Sequence, residues 1–113
     1  MALPHPLPED LADLIARRFH AIAEPMRVRL LDALRDGEDS VNELAERLGT
    51  SQQNVSKHLA VLATVGILGR RKEGNRVFYR IVDEGVLGLC EQVCGSVQQQ
   101  LAVLEALVGR PSN

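Results

Sequence analysis

Apolar residues recur through the first half of this chain at spacings of three and four, switch briefly to alternation, and then return to helical spacing. From about Glu9 to Ala23, Leu11, Leu14, Ile15, Phe19 and Ile22 fall on one stripe of an amphipathic helix. Pro25 suits the first turn of a second helix, which runs to about Arg35 with Val28, Leu30, Leu31 and Leu34 apolar. Asp36-Gly37-Glu38-Asp39 reads as a polar turn. Ser40 and Glu43 form a capping box for a short third helix, whose inward face is Val41, Leu44, Ala45 and Leu48. Gly49 fits the position that ends it. Thr50 is placed to cap a fourth helix running to about Val65, with Val55, Leu59 and Leu62 inward and Gly66 as its stop. Residues 67–72 and 76–81 then flank Glu73-Gly74-Asn75, a hairpin signal. In the second strand Val77, Tyr79 and Ile81 share one face, and Arg76, Phe78 and Arg80 the other. A long last helix follows from about Asp83 to Val108.

The pattern therefore predicts a mainly α fold with one small β-hairpin, in the order α-α-α-α-β-β-α. Two short helices joined by a tight glycine turn and followed by a hairpin make a winged helix-turn-helix. The domain is expected over residues 9–108, between a loose tail with three prolines (residues 1–8) and a short tail (109–113).

Composition supports this. The chain of 113 residues is 45% hydrophobic, enough for one domain with one modest core. Aromatics are 3% and tryptophan is absent, so Leu, Val, Ile and Ala must fill that core, which favours packed helices. No apolar run approaches the length of a membrane span. The first residues, MALPHPLPED, lack the basic-then-apolar pattern of an export signal, so a cytoplasmic location is expected. Two cysteines in such a chain point to a reducing compartment.

Net charge is −2, which alone argues against nucleic acid, but its distribution does not. Residues 50–80 carry Lys57, Arg70, Arg71, Lys72, Arg76 and Arg80 against the single acid Glu73, whereas the flanking segments are both acidic. On the fourth helix, a turn of 100° per residue gathers Val55, Leu59 and Leu62 on one side. Gln53, Lys57, Ala60 and Thr64 lie opposite, flanked by Asn54 and Ser56, with Gln52 at the exposed first turn. Such an amide and hydroxyl face can hydrogen-bond base edges, Gln and Asn pairing with adenine and Lys reaching guanine or phosphate. A merely solvated face is usually rich in Glu and Lys. The candidate double-stranded DNA contacts are Thr50, Ser51, Gln52, Gln53, Asn54, Ser56 and Lys57 on the helix and Arg70, Arg71, Lys72 and Arg76 on the wing. Edge strands often carry cations merely to discourage aggregation, so the wing gains its meaning from the helix-turn-helix before it.

These residues resemble the ArsR/SmtB family of winged-helix repressors across residues 19–83. Ala23-Glu24-Pro25-Met26-Arg27 followed by Leu30, Leu31 and Leu34 looks like the family's second helix. Ser51-Gln52, Val55-Ser56, His58-Leu59 and Leu62 match its recognition helix, and Gly66-Ile67-Leu68, Arg71-Lys72-Glu73-Gly74, Val77 and Tyr79 its wing. Asn75 stands where the family often has Arg. The resemblance implies a homodimer through the first and last helices, bound to a palindromic operator, with repression relieved by an effector. The candidate interface is Leu14, Val86, Leu89, Cys90, Val93, Val97, Leu104 and Leu107. His58 borders the buried face and reads as a packing or hydrogen-bonding residue.

The family's metal sites are incomplete here. Ser40 and Asn42 stand where one subgroup has cysteines. Asp83 matches a second site, but Gly85, Ser96 and Gln99 replace its other ligands, and Asp83 reads as an N-cap. A sulfide-sensing pair is missing, since no cysteine precedes position 90. Cys90 and Cys94 remain, four apart on one helix, with Cβ atoms about 5–6 Å apart. That suits two thiolates on a soft ion, such as trivalent arsenic or antimony, zinc or cadmium, although both can equally be core residues. No catalytic set is evident, so an enzyme is not expected. Two alternatives stand beside the repressor: a winged helix used as a protein-interaction module, and a regulator of the same type without a metal effector.

Overall fold

The computed structural model describes residues 2–109. The chain divides after Asp83 into two compact units. The first holds helices α1 (Glu9–Ile22), α2 (Pro25–Ala33), α3 (Val41–Leu48) and α4 (Gln52–Thr64) with strands β1 (Asp39–Ser40), β2 (Leu68–Glu73) and β3 (Arg76–Ile81). The second is the long helix α5 (Glu84–Val108). The expected tail at residues 109–113 lies, beyond Gly109, outside the described residues.

Helix boundaries follow local chemistry. At α2, the Glu24 side chain accepts a hydrogen bond from the Arg27 backbone N–H (3.1 Å), and Pro25 takes a first-turn position that needs no N–H. Ser40 Oγ accepts from Glu43 N (3.2 Å), but Glu43 does not complete the expected box, because Asp39 Oδ1 already accepts from Ser40 N (2.9 Å). Gly49 ends α3 at φ 65°, and Thr50 N donates back to Ala45 O (3.1 Å). Two expectations need correction here. Ser51, not Thr50, caps α4, its Oγ accepting from Asn54 N at 3.1 Å. The polar turn expected at residues 36–39 gives way at Asp39 to a third strand, pairing Asp39 with Tyr79 and Ser40 with Phe78. The sheet order is β1-β3-β2, all antiparallel, so the element order is α-α-β-α-α-β-β-α.

The β2–β3 ladder runs from Leu68↔Ile81 to Glu73↔Arg76, leaving Gly74-Asn75 as a two-residue turn. Gly74 has φ 59°, the sign that such tight hairpin turns require at their first central position. Leu30, Leu31, Leu34, Leu44, Val55, Leu59, Leu62 and Ile67 are sealed inside the first unit. Of the apolar residues of α2, Leu30 and Leu31 are buried and Val28 is 43% exposed. On α1 only Ala21 is buried, while Leu14 and Phe19 are exposed. Arg18 of α1 pairs with Asp83, a second role for a residue expected to serve as a cap.

Along α5, Val93, Val97, Leu101, Leu104, Leu107 and Val108 are exposed and lie within one stripe at helical spacing. Val86, expected on the dimer face, is buried, at 6% exposure. Leu89 and Cys90 are half-buried. No helix among the described residues is long and apolar enough to cross a membrane.

Candidate nucleic-acid interface

Helix α4 buries Val55, His58, Leu59 and Leu62 and turns the other side outward. Ser51, Gln52, Gln53, Ser56, Lys57 and Ala60 are exposed together. The side chains of Gln52, Gln53, Ser56 and Lys57 make no hydrogen bond or ion pair with the described residues. Asn54 differs: its Nδ2 donates to Thr50 Oγ1 (3.1 Å) while its backbone N–H goes to Ser51, so Thr50 and Asn54 build the start of the helix. Ser51 Oγ accepts at that cap and keeps its own O–H free to donate outward.

The four candidate contact cations of the wing are in two different states. Arg70 and Lys72 are exposed and have no ion pair among the described residues. Arg71 is fully engaged: Nε and Nη2 donate to the two oxygens of Glu38 (3.1 and 2.7 Å), and Nη1 donates to Glu73 (2.8 Å). Its guanidinium carbon lies 4.5 Å from the centre of the Phe78 ring. Arg76 lies over the same ring at 5.0 Å and reaches Ser40 Oγ (3.3 Å) and Glu43 (3.4 Å). The hydrogen bonds from Arg71 hold the Glu38 carboxyl below its ordinary value, and its two carboxylate partners push Arg71 up. Hydrogen bonding to Asp39 and that residue's charge push Glu43 up. Asp39 is lowered, because its hydrogen bonds to Glu43, Ser40 N and Arg47 outweigh the effect of burial.

Three residues of this region had no assigned role in the sequence reading. Glu24 and Arg27 hold the rear of α4: Arg27 Nε donates to Ala21 O (2.5 Å) and Nη1 lies 3.1 Å from His58 Nδ1, with Glu24 3.7 Å from the same nitrogen. Arg27 and Glu24 thus both face the Nδ1 edge of the imidazole and fix the ring against α2. The N-cap pattern Glu24-Pro25 signals the corner, but not the tie to His58. Glu38 sits 33 residues from Arg71, and no local pattern announces their pairing.

Cys90 is half-buried and Cys94 exposed on α5, and burial pushes the Cys90 thiol up. Among the described residues no three His, Cys, Asp or Glu side chains cluster closely enough to hold a metal ion.

A helix-turn-helix domain family matches residues 22–70. The chain is 42% identical over 83 residues to the HTH-type transcriptional regulator KmtR of Mycobacterium tuberculosis, covering 74% of this chain and 64% of that protein. It spans 59–64% of the length of the curated relatives it matches first. The crystal structure of the antimony-specific transcriptional repressor AntR superimposes with a TM-score of 0.75 at 32% identity, covering 90% of this chain and 98% of that one. The homodimeric winged helix-turn-helix DNA-binding domain of a possible ArsR-family regulator from Mycobacterium bovis gives 0.68 at 32% identity, covering 92% and 91%. The shared helix-turn-helix, the wing that follows it and these identities together establish that the chain belongs to the ArsR/SmtB family of winged helix-turn-helix transcriptional regulators.

Proposed function

We propose that the protein is a sequence-specific DNA-binding repressor that acts as a homodimer on a two-fold operator. The observation that carries this reading is the outer face of α4. Four side chains suited to base edges, Gln52, Gln53, Ser56 and Lys57, are exposed side by side with no partner among the described residues. Arg70 and Lys72 of the wing supply free cations for phosphate. One recognition helix reads a half-site, and a second copy related by two-fold symmetry reads the other. The exposed stripe of α5 supplies apolar surface for that pairing. A protein-interaction module would instead present an apolar or acidic face at α4.

The test is an electrophoretic shift with duplex from the gene's own upstream region against a scrambled duplex. Preferential retardation of the first is expected, and equal affinity for both overturns the reading. Gln53→Ala should weaken operator binding by about 1–3 kcal/mol and leave random duplex nearly unchanged.

For the effector, the proposal is a thiophilic ion bridging Cys90 and Cys94, with a further donor from water or the second copy. Similarity to a repressor described as antimony-specific favours this over a regulator without a metal. Trivalent arsenic, antimony, cadmium and zinc are the probes. Release of operator from wild type by one of them, lost in the Cys90→Ser, Cys94→Ser variant, is the expected result. Equal release from both proteins, or none from wild type, overturns the effector reading.

A further inference from the structure

One cation of the wing, Arg71, is already held by an anion of the same chain. Glu38 presents two oxygens to Nε and Nη2 of Arg71, the side-by-side fork in which a guanidinium grips a phosphate. The pair is built by the sheet. β1 begins directly after Glu38, and its register sets Ser40 opposite Phe78, which in turn faces Arg71 across the β3–β2 ladder. The Phe78 ring supports the guanidinium from one side, and Glu73 takes the remaining Nη1. Arg76, the neighbouring cation, has the weaker arrangement, one longer contact to Glu43.

We propose that Glu38 is an internal competitor for DNA phosphate at Arg71, so that this arginine joins the DNA contact only by exchanging one oxyanion for another. The inference rests on the DNA-binding reading above and adds a restraint to it. Both members of the pair remain partly open to solvent, with side-chain exposures of 43% and 31%, so a phosphate can approach without unfolding anything. An exposed ion pair of this kind is weak enough to exchange. Its consequence falls on the sequence-independent part of affinity, which comes from phosphate contacts and shows itself in salt dependence. With Glu38 in place, Arg71 brings no net charge to the duplex. Without it, Arg71 keeps only Glu73 at Nη1 and turns Nε and Nη2 free for a phosphate, so the wing gains one unit of positive charge, while Gln52, Gln53, Ser56 and Lys57 are untouched.

The experiment compares wild type, Glu38→Gln, Arg71→Gln and the double variant on a random-sequence duplex, titrated between 50 and 200 mM salt. One added phosphate contact steepens the log–log salt slope by about 0.9, so the advantage of Glu38→Gln over wild type should grow about threefold from the high to the low end. Arg71→Gln should leave the slope near that of wild type, and the double variant should lose the gain. A gain that survives in the Arg71→Gln background is a general charge effect and overturns the proposal, as does an unchanged slope in Glu38→Gln. If wild type and Glu38→Gln both bind duplex with the same slope, only this proposal falls. If neither binds duplex at the low-salt end, the DNA-binding reading falls and this one with it.

Discussion

At the scale of single residues, two neighbours that look interchangeable in sequence have separate duties. Thr50 and Ser51 both carry a hydroxyl before α4, but only the Ser51 oxygen receives the Asn54 backbone N–H, while Thr50 receives the Asn54 side chain. Ser51→Ala should therefore lower stability by about 1 kcal/mol in denaturant titration, and Thr50→Ala by less. Glu38 gives a pH signature. Folding lowers its pKa through the hydrogen bonds from Arg71. A carboxylate shifted downward contributes stability that is fully present above its unfolded pKa and fades as pH falls through the folded value. The melting temperature of Glu38→Gln should lie below that of wild type at neutral pH, and the two should converge as pH falls through the lowered folded-state pKa of Glu38. Convergence at neutral pH would show that the pair does not form in solution. The base-facing residues were legible because a polar face opposite Val55, Leu59 and Leu62 follows from helical geometry alone. Glu38 was not, because its partner is distant in sequence and a charged residue in a polar turn looks solvated.

At the scale of elements, helices announced themselves through periodicity and caps, and the hairpin through its glycine turn. The short strand β1 did not. Asp39 and Ser40 show no alternation, and only their partner strand makes them a strand. The apolar residues of α1 were legible as a stripe, yet periodicity does not say whether a stripe faces the chain's own core. Leu14 and Phe19 are exposed, and Val86 of α5, counted with an outward stripe, is buried. The turn between α3 and α4 is the element most open to a clean test. Gly49 adopts φ 65°, and a Cβ there would meet nothing within 4 Å. Gly49→Ala should thus cost about 1–2 kcal/mol from backbone conformation alone, measured as a shift in the unfolding midpoint. A neutral substitution would mean that this turn relaxes away from the left-handed region.

At the scale of the whole molecule, the exposed apolar stripe of α5, from Val93 to Val108, is larger in extent than scattered surface residues usually are. Sedimentation at micromolar concentration is expected to give a dimer, and a species of 12.4 kDa alone would count against the proposed homodimer. Leu104→Glu should shift the protein toward that smaller species without lowering the helicity of the first unit. One small feature bears on how such an assembly could respond to a signal. Ser40 is at once a rung of the sheet and the cap of α3, so the wing and the reading helices share a residue at their junction. Arg27 and His58 fasten α4 from behind in the same way. A body clamped at both places behaves like the jaw of a caliper. In the proposed homodimer, what two such jaws have left to vary is the gap between them, set against the pitch of the double helix.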